Sequence, residues 1–567
     1  LTAEMTAFIR KTAEYNLAPL GMVLKMVLGM KSNQLPKQKV TLYGLKIKNE
    51  NLDGIRITEA RKAVFDFLDG GLEAEKEEII SATGASSGII TAMIKSGFLY
   101  KKDVLINEEA EEQKVNLNKT AALTEEQQAA ADILVRKVGS GFSATLLDGV
   151  TGSGKTEVYF EAVAEALAQN KQVLVLVPEI SLTSQWLRRF ELRFGVTPFI
   201  WHSEVGVKDK AKTWKAVALN KARVVVGARS ALFLPFADLG IIVVDESHDH
   251  SFKQESLVTY QGRDMAVLRA HLEKIPVILS TATPDLETIV NVEEGKYDCV
   301  KLTKRFAKAV LPEIKILDLK KDKPQKGPWG VSFLAPTLVD ELAANLKRGE
   351  QSMLFLNRRG YAPLLICRDC GHRIQCPHCT AWLAEHRITG ELICHHCGFK
   401  MFTPKRCPEC GSEDGLTACG PGVERIAEEV RNRFPEARTA ILSSDITTNY
   451  KQISDVIHRT ANKEIDILIG TQILAKGHNF PDLTLVGVAD LGLMGTDLRA
   501  SEQTFQLLAQ VSGRAGRGEK KGVVYLQTLY PDHPVLQAVI EHNREAFIEI
   551  EKSSRRLLHM PPYGKLA

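Results

Sequence analysis

The chain lacks any apolar run long enough to cross a bilayer. Runs such as Val173 to Val177 and Leu239 to Val244 stop far short of the ~20 residues a membrane helix needs. It also lacks a charge bias: 73 Lys and Arg against 69 Asp and Glu leave +4 over 567 residues. A diffuse polybasic surface is excluded, so any contact with a polyanion must rest on local patches. Cysteine is nearly absent outside one block: of ten, only Cys299 and Cys419 lie outside residues 367–410. That excludes a disulfide framework spread over the chain and suits a reducing cytoplasm. Cys299 and Cys419 read as small buried apolar residues. No signal peptide opens the chain, and the first residue is Leu1 rather than Met, which points to a piece of a longer protein. With 44% hydrophobic and 25% charged residues, the chain reads as ordinary globular protein of about two to five domains.

What is present centres on GVTGSGKT, comprising Gly149, Val150, Thr151, Gly152, Ser153, Gly154, Lys155 and Thr156. An apolar run from Phe142 to Leu147 leads in, and a helical pattern from Glu157 to Gln169 leads out. Glycines on such a strand-to-helix turn let backbone N–H groups close around an anion, and the helix aims its positive end at the same place. This is a phosphate-binding P-loop, with Lys155 reaching the β and γ phosphates of ATP and Thr156 holding Mg²⁺. The run Gly240 to Val244 ends in Asp245-Glu246, a Walker B pattern: Asp245 binds Mg²⁺ through water and Glu246 orients the attacking water. His248 completes a DExH sequence. After the strand Val277 to Leu279, Ser280-Thr281-Ala282-Thr283-Pro284 is either a coupling turn or an ordinary strand-end loop. Gln127, upstream in Leu123-Thr124-Glu125-Glu126-Gln127, is placed to offer its amide to the adenine edge.

Strands and helices alternate from 142 to about 305, the signature of a parallel sheet flanked by helices. A second α/β pattern begins with Ser352 to Leu356 and resumes at Thr439 to Leu442, Ile465 to Ile469, Leu485 to Val488 and Val523 to Leu526. It has no P-loop, but carries GTQILAKGHNF, with Gly477 a candidate nucleotide contact, and QVSGRAGRG. Arg514 and Arg517 lie one helical turn apart, so both can face ATP held between the lobes and stabilise the transferring phosphoryl. Between these segments stand Cys367/Cys370, Cys376/Cys379, Cys394/Cys397 and Cys407/Cys410. Eight thiolates in four C-x₂-C turns make two tetrahedral Zn²⁺ sites, closed and therefore structural. Ribbon spacing favours Cys376/Cys379 with Cys394/Cys397 and the other two pairs outside, although a crossed pairing remains open, as does substitution by His372, His378, His395 or His396.

Upstream, Thr2 to Tyr15 and Met22 to Met30 read as helices and residues 39–48 as a strand. Glu59 to Leu68, Lys76 to Ala82 and Ser87 to Lys95 form three helices, followed by the strand Gly97 to Tyr100: a winged-helix order. Its third helix has only Lys95 as a cation, which leaves duplex contact and protein contact equally open.

LLDGVTGSGKTEVY, LVPEISLTSQ, VVVGARSALFLPF, DESHDHSFKQ, FLNRRGYAP, the cysteine pairs, GTQILAKGHNFPDLTLVGVADL and QVSGRAGRG together resemble superfamily 2 DExH helicases, and among them the replication-restart helicases. The match runs from about residue 120 to the end. It departs at Ser247, where the family usually has Glu, and at 255–259, where a loop coupling DNA binding to hydrolysis usually carries Gly, Pro and Arg. The resemblance implies an α/β protein of two RecA-like parallel-sheet lobes, with a zinc insertion in the second lobe and an N-terminal winged-helix domain. The expected division is a remnant of an N-terminal DNA-binding region at 1–58, the winged helix at 59–105, a linker at 106–120 and lobe 1 at 121–305. Lobe 2 follows at 306–366 and 412–550 around the insertion at 367–411, with the start of a truncated domain at 551–567. The implied activity is ATP-dependent 3′-to-5′ DNA unwinding at stalled forks and D-loops, with primosome proteins, a replicative helicase loader and single-strand-binding protein as partners. The implied setting is the bacterial cytoplasm at the nucleoid, with no membrane. Two other classes are weighed: an ATPase translocase or RNA helicase that never separates DNA, and a non-catalytic zinc and DNA scaffold of the primosome.

Overall fold

The computed structural model describes residues 1–28, 38–46, 58–69, 72–106, 112–118, 122–178, 184–305, 311–325, 327, 332–356, 365–367, 369–370, 372, 374–378, 383–386, 391–394, 397–413, 415–418, 423–443, 450–475, 480, 482–490, 499–516 and 520–564. Helix α1 (Ala3–Tyr15) starts at Thr2, whose hydroxyl accepts from the Met5 N–H at 3.1 Å, and α2 (Leu20–Leu28) follows. Met5, Phe8, Ile9, Val23 and Val27 bury into the same core as Phe233, Phe252 and Met265 of the first lobe. Trp214 donates its indole N–H to the Val27 carbonyl at 3.0 Å.

A small unit comes next: β1 (Gln38–Leu45), α3 (Glu59–Phe67), β2 (Ala74–Glu75), α4 (Lys76–Thr83), α5 (Ser87–Lys95) and β3 (Leu99–Ile106). β1 pairs antiparallel with β3 over eight residues and with β2 at its other edge. The three helices bury Val64, Phe65, Leu68, Ile79, Ile90 and Met93 with Phe98. The boundary expected between 58 and 59 is thereby corrected. Residues 1–28 belong with the first lobe through their apolar faces, and 38–45 completes the sheet of the small unit. The expected linker is corrected as well, because 112–118 docks on the first lobe. Gln113 accepts from the N–H groups of Arg223 and Val224 at 3.0 and 2.9 Å and donates to the Thr197 carbonyl at 2.7 Å. A polar stretch read as solvated instead satisfies edge backbone groups.

The first lobe runs α6 (Glu125–Lys137), β4 (Ser143–Gly149), α7 (Lys155–Ala168), β5 (Gln172–Leu176), α8 (Ser184–Phe194), β6 (Phe199–Trp201), α9 (Val207–Ala218), β7 (Val224–Gly227), β8 (Leu239–Asp245), β9 (Lys253–Gln254), β10 (Tyr260–Gln261), α10 (Gly262–Glu273), β11 (Pro276–Thr281), α11 (Leu286–Glu293) and β12 (Asp298–Leu302). Seven strands form a parallel sheet in the order β12-β4-β11-β8-β5-β7-β6. Its central strands β5, β7 and β8 are nearly continuous apolar runs because both faces are covered. Leu174, Ile242, Val244 and Val277 enter one core, while Val173, Val175, Ile241 and Val243 enter the other.

The second lobe contains β13 (Glu313–Asp318), α12 (Pro336–Lys347) and β14 (Gln351–Leu356). The insertion follows with β15 (Leu365–Cys367), β16 (Ala384–His386), β17 (Glu391–Ile393), β18 (Lys400–Phe402) and β19 (Leu416–Ala418). The lobe resumes with α13 (Val423–Arg433), β20 (Thr439–Leu442), α14 (Tyr450–Ala461), β21 (Ile467–Gly470), α15 (Gln472–Ala475), β22 (Leu483–Asp490), α16 (Ala500–Ser512), β23 (Val523–Thr528), α17 (Pro534–Ile540) and α18 (Arg544–Leu557). Six parallel strands stand in the order β13-β23-β22-β14-β21-β20. β15 and β19 pair antiparallel, so they form the stem on which the insertion leaves and rejoins the lobe. α18 runs unbroken through 550 and 551, which corrects the boundary expected there. Its far half stays on the body through Arg555 to Glu502 and Lys552 to Glu293.

Candidate functional site: the cleft between the lobes and the cysteine insertion

Strand register gathers the first-lobe motifs. β4 and β8 flank β11, with Asp148 opposite Thr281 and Ser280 opposite Asp245. The P-loop, the Ser280–Pro284 stretch and the Walker B pair therefore leave three adjacent strands at their C-terminal ends, where open α/β sheets bind ligands. Gly152 and Gly154 take φ +82° and +80°, a region that suits glycine. A Cβ at Gly149 would meet Ser153 Oγ at 2.6 Å and Lys155 Cγ at 2.8 Å, so the loop closes only around a residue without a side chain. Lys155 Nζ donates to the Gly149 carbonyl at 2.8 Å, folded back across the loop.

Asp245 is held by three donors: Ser280 Oγ at 2.8 Å and the Glu246 N–H at 3.1 Å on one oxygen, Tyr159 OH at 3.0 Å on the other. Burial, and then the neighbouring Glu246, push its carboxyl above the usual range. Two adjacent carboxylates beside the Thr156 hydroxyl form a hard-oxygen donor set that suits Mg²⁺. Glu246 sits at φ +47°, a strained setting for a residue other than glycine, of the kind stored at functional sites. His248 is buried, which lowers its pKa, so the ring is neutral. Its Nδ1 meets Thr281 Oγ1 at 2.6 Å and its Nε2 meets the side-chain amide of Gln510 in the second lobe.

Gln510 opens the stretch QVSGRAGRG, which the fold turns toward the P-loop. A Cβ on Gly513 would touch Thr151 Cγ2 at 3.4 Å. Arg514 follows, buried. Arg544, which the sequence reading missed, donates to both carboxylate oxygens of Asp148 at 2.7 Å and to the Ala282 carbonyl at 3.0 Å. No motif or periodicity marks it. Tyr159 was also missed, though its place three residues after Thr156 is a helix-face signal. Gln127 sits at the start of α6 against the P-loop. Its amide oxygen accepts from the Thr124 N–H at 2.9 Å in a capping box, and its nitrogen donates to the Ser153 carbonyl at 2.8 Å. The side chain joins these two segments. Arg517, Gly477 and Cys379 lie outside the described residues. The stretch 255–259 closes the β9–β10 hairpin, with Val258 buried and Leu257 outermost at φ +64°.

In the insertion, Cys367, Cys370, Cys407 and Cys410 gather their sulfurs within 4.8 Å of one another, and Cys376, Cys394 and Cys397 form a second such group. Neighbouring sulfurs lie 3.5–3.7 Å apart. That is too long for a disulfide at ~2.05 Å, and close to the ~3.8 Å edge of a tetrahedron with 2.3 Å Zn–S bonds. The grouping is nested, not crossed. Two knuckles repeat the same turn: the Gly398 and Gly411 N–H groups each donate at 2.9 Å, to Cys394 and Cys407 respectively, at φ +76° and +74°. His372 faces Glu409 and His378 packs on Phe399, so neither joins a cluster; His395 and His396 lie outside the described residues.

Known families match these regions. Residues 124–292 match the DEAD/DEAH box helicase family, 376–401 the PriA DNA helicase Cys-rich region domain, and 421–519 the helicase conserved C-terminal domain. The replication restart protein PriA of Rickettsia conorii is 48% identical over 459 residues, covering 80% of this chain and 70% of its own. The protein of the same name from Chlamydia pneumoniae is 36% identical over 574 residues, covering 98% and 75%. Among solved structures, RecG bound to a three-way DNA junction aligns over 77% of this chain and 47% of its own, at 14% identity and a TM-score of 0.46.

Proposed function

The chain belongs to the PriA family of replication restart helicases, and we propose that it hydrolyses ATP between its lobes to drive 3′-to-5′ travel along one strand of forked DNA. The observation that carries this reading is the approach of the C-terminal end of α16, Gln510 to Gly513, to His248 and Thr151. That contact brings the second lobe against the strand ends that hold the P-loop and Asp245. Lys155 binds the β and γ phosphates, and Thr156 and Asp245 hold the metal. These residues would hold Mg²⁺, which would supply positive charge to offset that of the phosphates. Glu246 orients the attacking water, while Arg514 and Arg517 stabilise the charge on the transferring group from the opposite lobe. His248, kept neutral by burial, passes the state of the phosphate site to Gln510 instead of moving a proton itself.

The unit of residues 38–106 serves as a winged helix, with α5 as its candidate duplex contact. The eight cysteines hold two Zn²⁺ ions that fix the insertion's shape; release of clearly fewer than two ions per unfolded chain would remove that part of the proposal. The cellular substrates are stalled forks and D-loops, and the partners are primosome proteins, the replicative helicase loader and single-strand-binding protein. Steady-state ATPase measured alone and with forked DNA, plain duplex or single-stranded RNA tests the reading. Stimulation strongest with forked DNA supports it, whereas turnover indifferent to all three reduces the chain to an uncoupled ATPase.

A further inference from the structure

The cleft contains a buried phenol that the roles above do not use. Tyr159 is fully buried in α7, yet its hydroxyl is engaged on every side. It donates to Asp245 Oδ2 at 3.0 Å, accepts from the Trp186 indole N–H at 2.8 Å, and has the Thr156 hydroxyl as a further hydrogen-bond neighbour. One donor and two acceptor sites are thus all occupied. Helical spacing explains the convergence, since residues three and four apart share a face and Tyr159 follows Thr156 and Lys155 by those steps.

The surrounding packing uses the hydroxyl once more, as the acceptor for the buried Trp186 indole N–H. Phe160 meets Trp186, Phe190 and Phe194 edge-on at 5.7, 5.9 and 5.4 Å, and Trp186 stacks on Phe190 at 5.5 Å. This aromatic block locks α7 to α8. A polar atom placed in such a core costs stability unless its partners need it. The partner that needs it is Asp245. Ser280 and the Glu246 N–H fix one carboxylate oxygen; Tyr159 fixes the other, and with it the plane of the group. Trp186 in turn sets the phenol, so the carboxylate's orientation depends on where α8 lies.

We propose that Tyr159 is a positioning residue for the metal-holding carboxylate of Asp245, and that Trp186 links this setting to helix α8. The inference rests on the reading of the cleft as an ATP and Mg²⁺ site. Groups that orient a metal ligand from behind typically change metal affinity by about tenfold or more when removed. The test uses the full chain without DNA: binding of a fluorescent ADP analogue titrated against Mg²⁺, for wild type, Tyr159→Phe and Trp186→Phe. Tyr159→Phe is expected to raise the Mg²⁺ concentration for half-maximal binding about tenfold. Its metal-free nucleotide affinity should stay at the wild-type value and excess Mg²⁺ should restore binding, while the thermal midpoint falls because the buried Trp186 indole N–H loses its acceptor. Trp186→Phe shifts the same midpoint in the same direction by less. A wild-type Mg²⁺ midpoint in Tyr159→Phe overturns the inference while leaving the ATP site intact. So does a loss of nucleotide affinity that is equal with and without the metal. If the wild-type chain binds no nucleotide at any Mg²⁺ concentration, the site reading itself fails and takes the inference with it.

Discussion

The lobes meet along two seams of different chemistry. On the nucleotide side two of the contacts are neutral: His248 against Gln510, and Gly513 beside Thr151. On the side of α11, α16 and α18 they are charged and numerous. Arg544 forks onto Asp148, Arg499 reaches Glu287 at 2.5 Å, and Lys552 reaches Glu293 at 2.7 Å. Glu502 accepts both the Leu286 N–H and Arg555 at 2.8 Å, and Gln506 donates to the Thr283 carbonyl at 3.2 Å. Among these, the buried Asp148 carboxylate and the buried Arg555–Glu502 pair lose several kcal/mol when a partner leaves, whereas a neutral hydrogen bond is exchanged with water at a net of about 1 kcal/mol. The first seam is suited to being made and broken each cycle and the second to staying closed as a pivot.

The largest effect separates the seams by function. Lys155→Ala is expected to lower ATP turnover by about three orders of magnitude, ~4 kcal/mol of barrier. Its thermal midpoint should remain within a few degrees of wild type, because Lys155 lies at the surface of the cleft and supports no core. Equal turnover in variant and wild type would remove the enzymatic side of the comparison. Next, Arg544→Leu strands the buried Asp148 carboxylate and should cost about 3 kcal/mol of stability in denaturant unfolding. Turnover per folded molecule should change only a few-fold. Asp148→Asn combined with Arg544→Leu should recover part of the loss, since no buried charge is then left alone. If Arg544→Leu instead abolished turnover with no loss of stability, the pivot would belong to the ATP site and the seams would not be distinct.

The difference between the seams also explains what the sequence could and could not reveal. The nucleotide side consists of motifs with fixed local spacing, so Gly149 to Thr156, Asp245, Glu246 and the turn at 510–518 were legible from residue types alone. The central strands were legible too, because burial on both faces makes them continuous apolar runs. The edge strand β13 was not: it alternates between exposed and buried residues and was given no element within the 306–366 segment. The pivot was invisible, since Arg544 and Asp148 are 396 positions apart and salt-bridging residues carry no pattern. Gln127 shows a second limit: its upstream position suggested an adenine contact, while its capping box with Thr124 was not read from the sequence. The domain boundaries at 58 and 551 failed because both fall between segments that the tertiary contacts of β1 and α18 join.

A third expected effect concerns the pivot alone and depends on pH. Burial, with Glu287 and Asp285 nearby, raises the Glu502 carboxyl from 4.5 to about 7 despite Arg555. Between those values the folded state holds a proton that the unfolded chain has released, so stability falls as pH rises from about 4.5 to about 7 and levels off above. The full span corresponds to about 3 kcal/mol. Thermal midpoints measured across this range should decline more steeply in wild type than in Glu502→Gln, which has no proton to lose. Parallel profiles would mean that Glu502 titrates as an ordinary carboxyl and that the pivot tolerates its charge.

The smallest effect falls on the seam that is remade. Gln510→Ala removes one neutral hydrogen bond to a neutral ring, worth about 1 kcal/mol, or roughly fivefold in an equilibrium between open and closed lobes. Stability should hardly move, because the pivot still joins the lobes and His248 keeps its bond to Thr281. The loss should appear where closure is limiting: a several-fold higher KM for ATP with DNA present, and a smaller change in the DNA-free rate. His248→Asn retains a side chain able to reach one of the two partners and should give a milder form of the same phenotype. If Gln510→Ala destabilised the chain as much as Arg544→Leu, the nucleotide seam would be carrying the lobes' attachment, and the assignment of a mobile and a fixed side would have to be reversed.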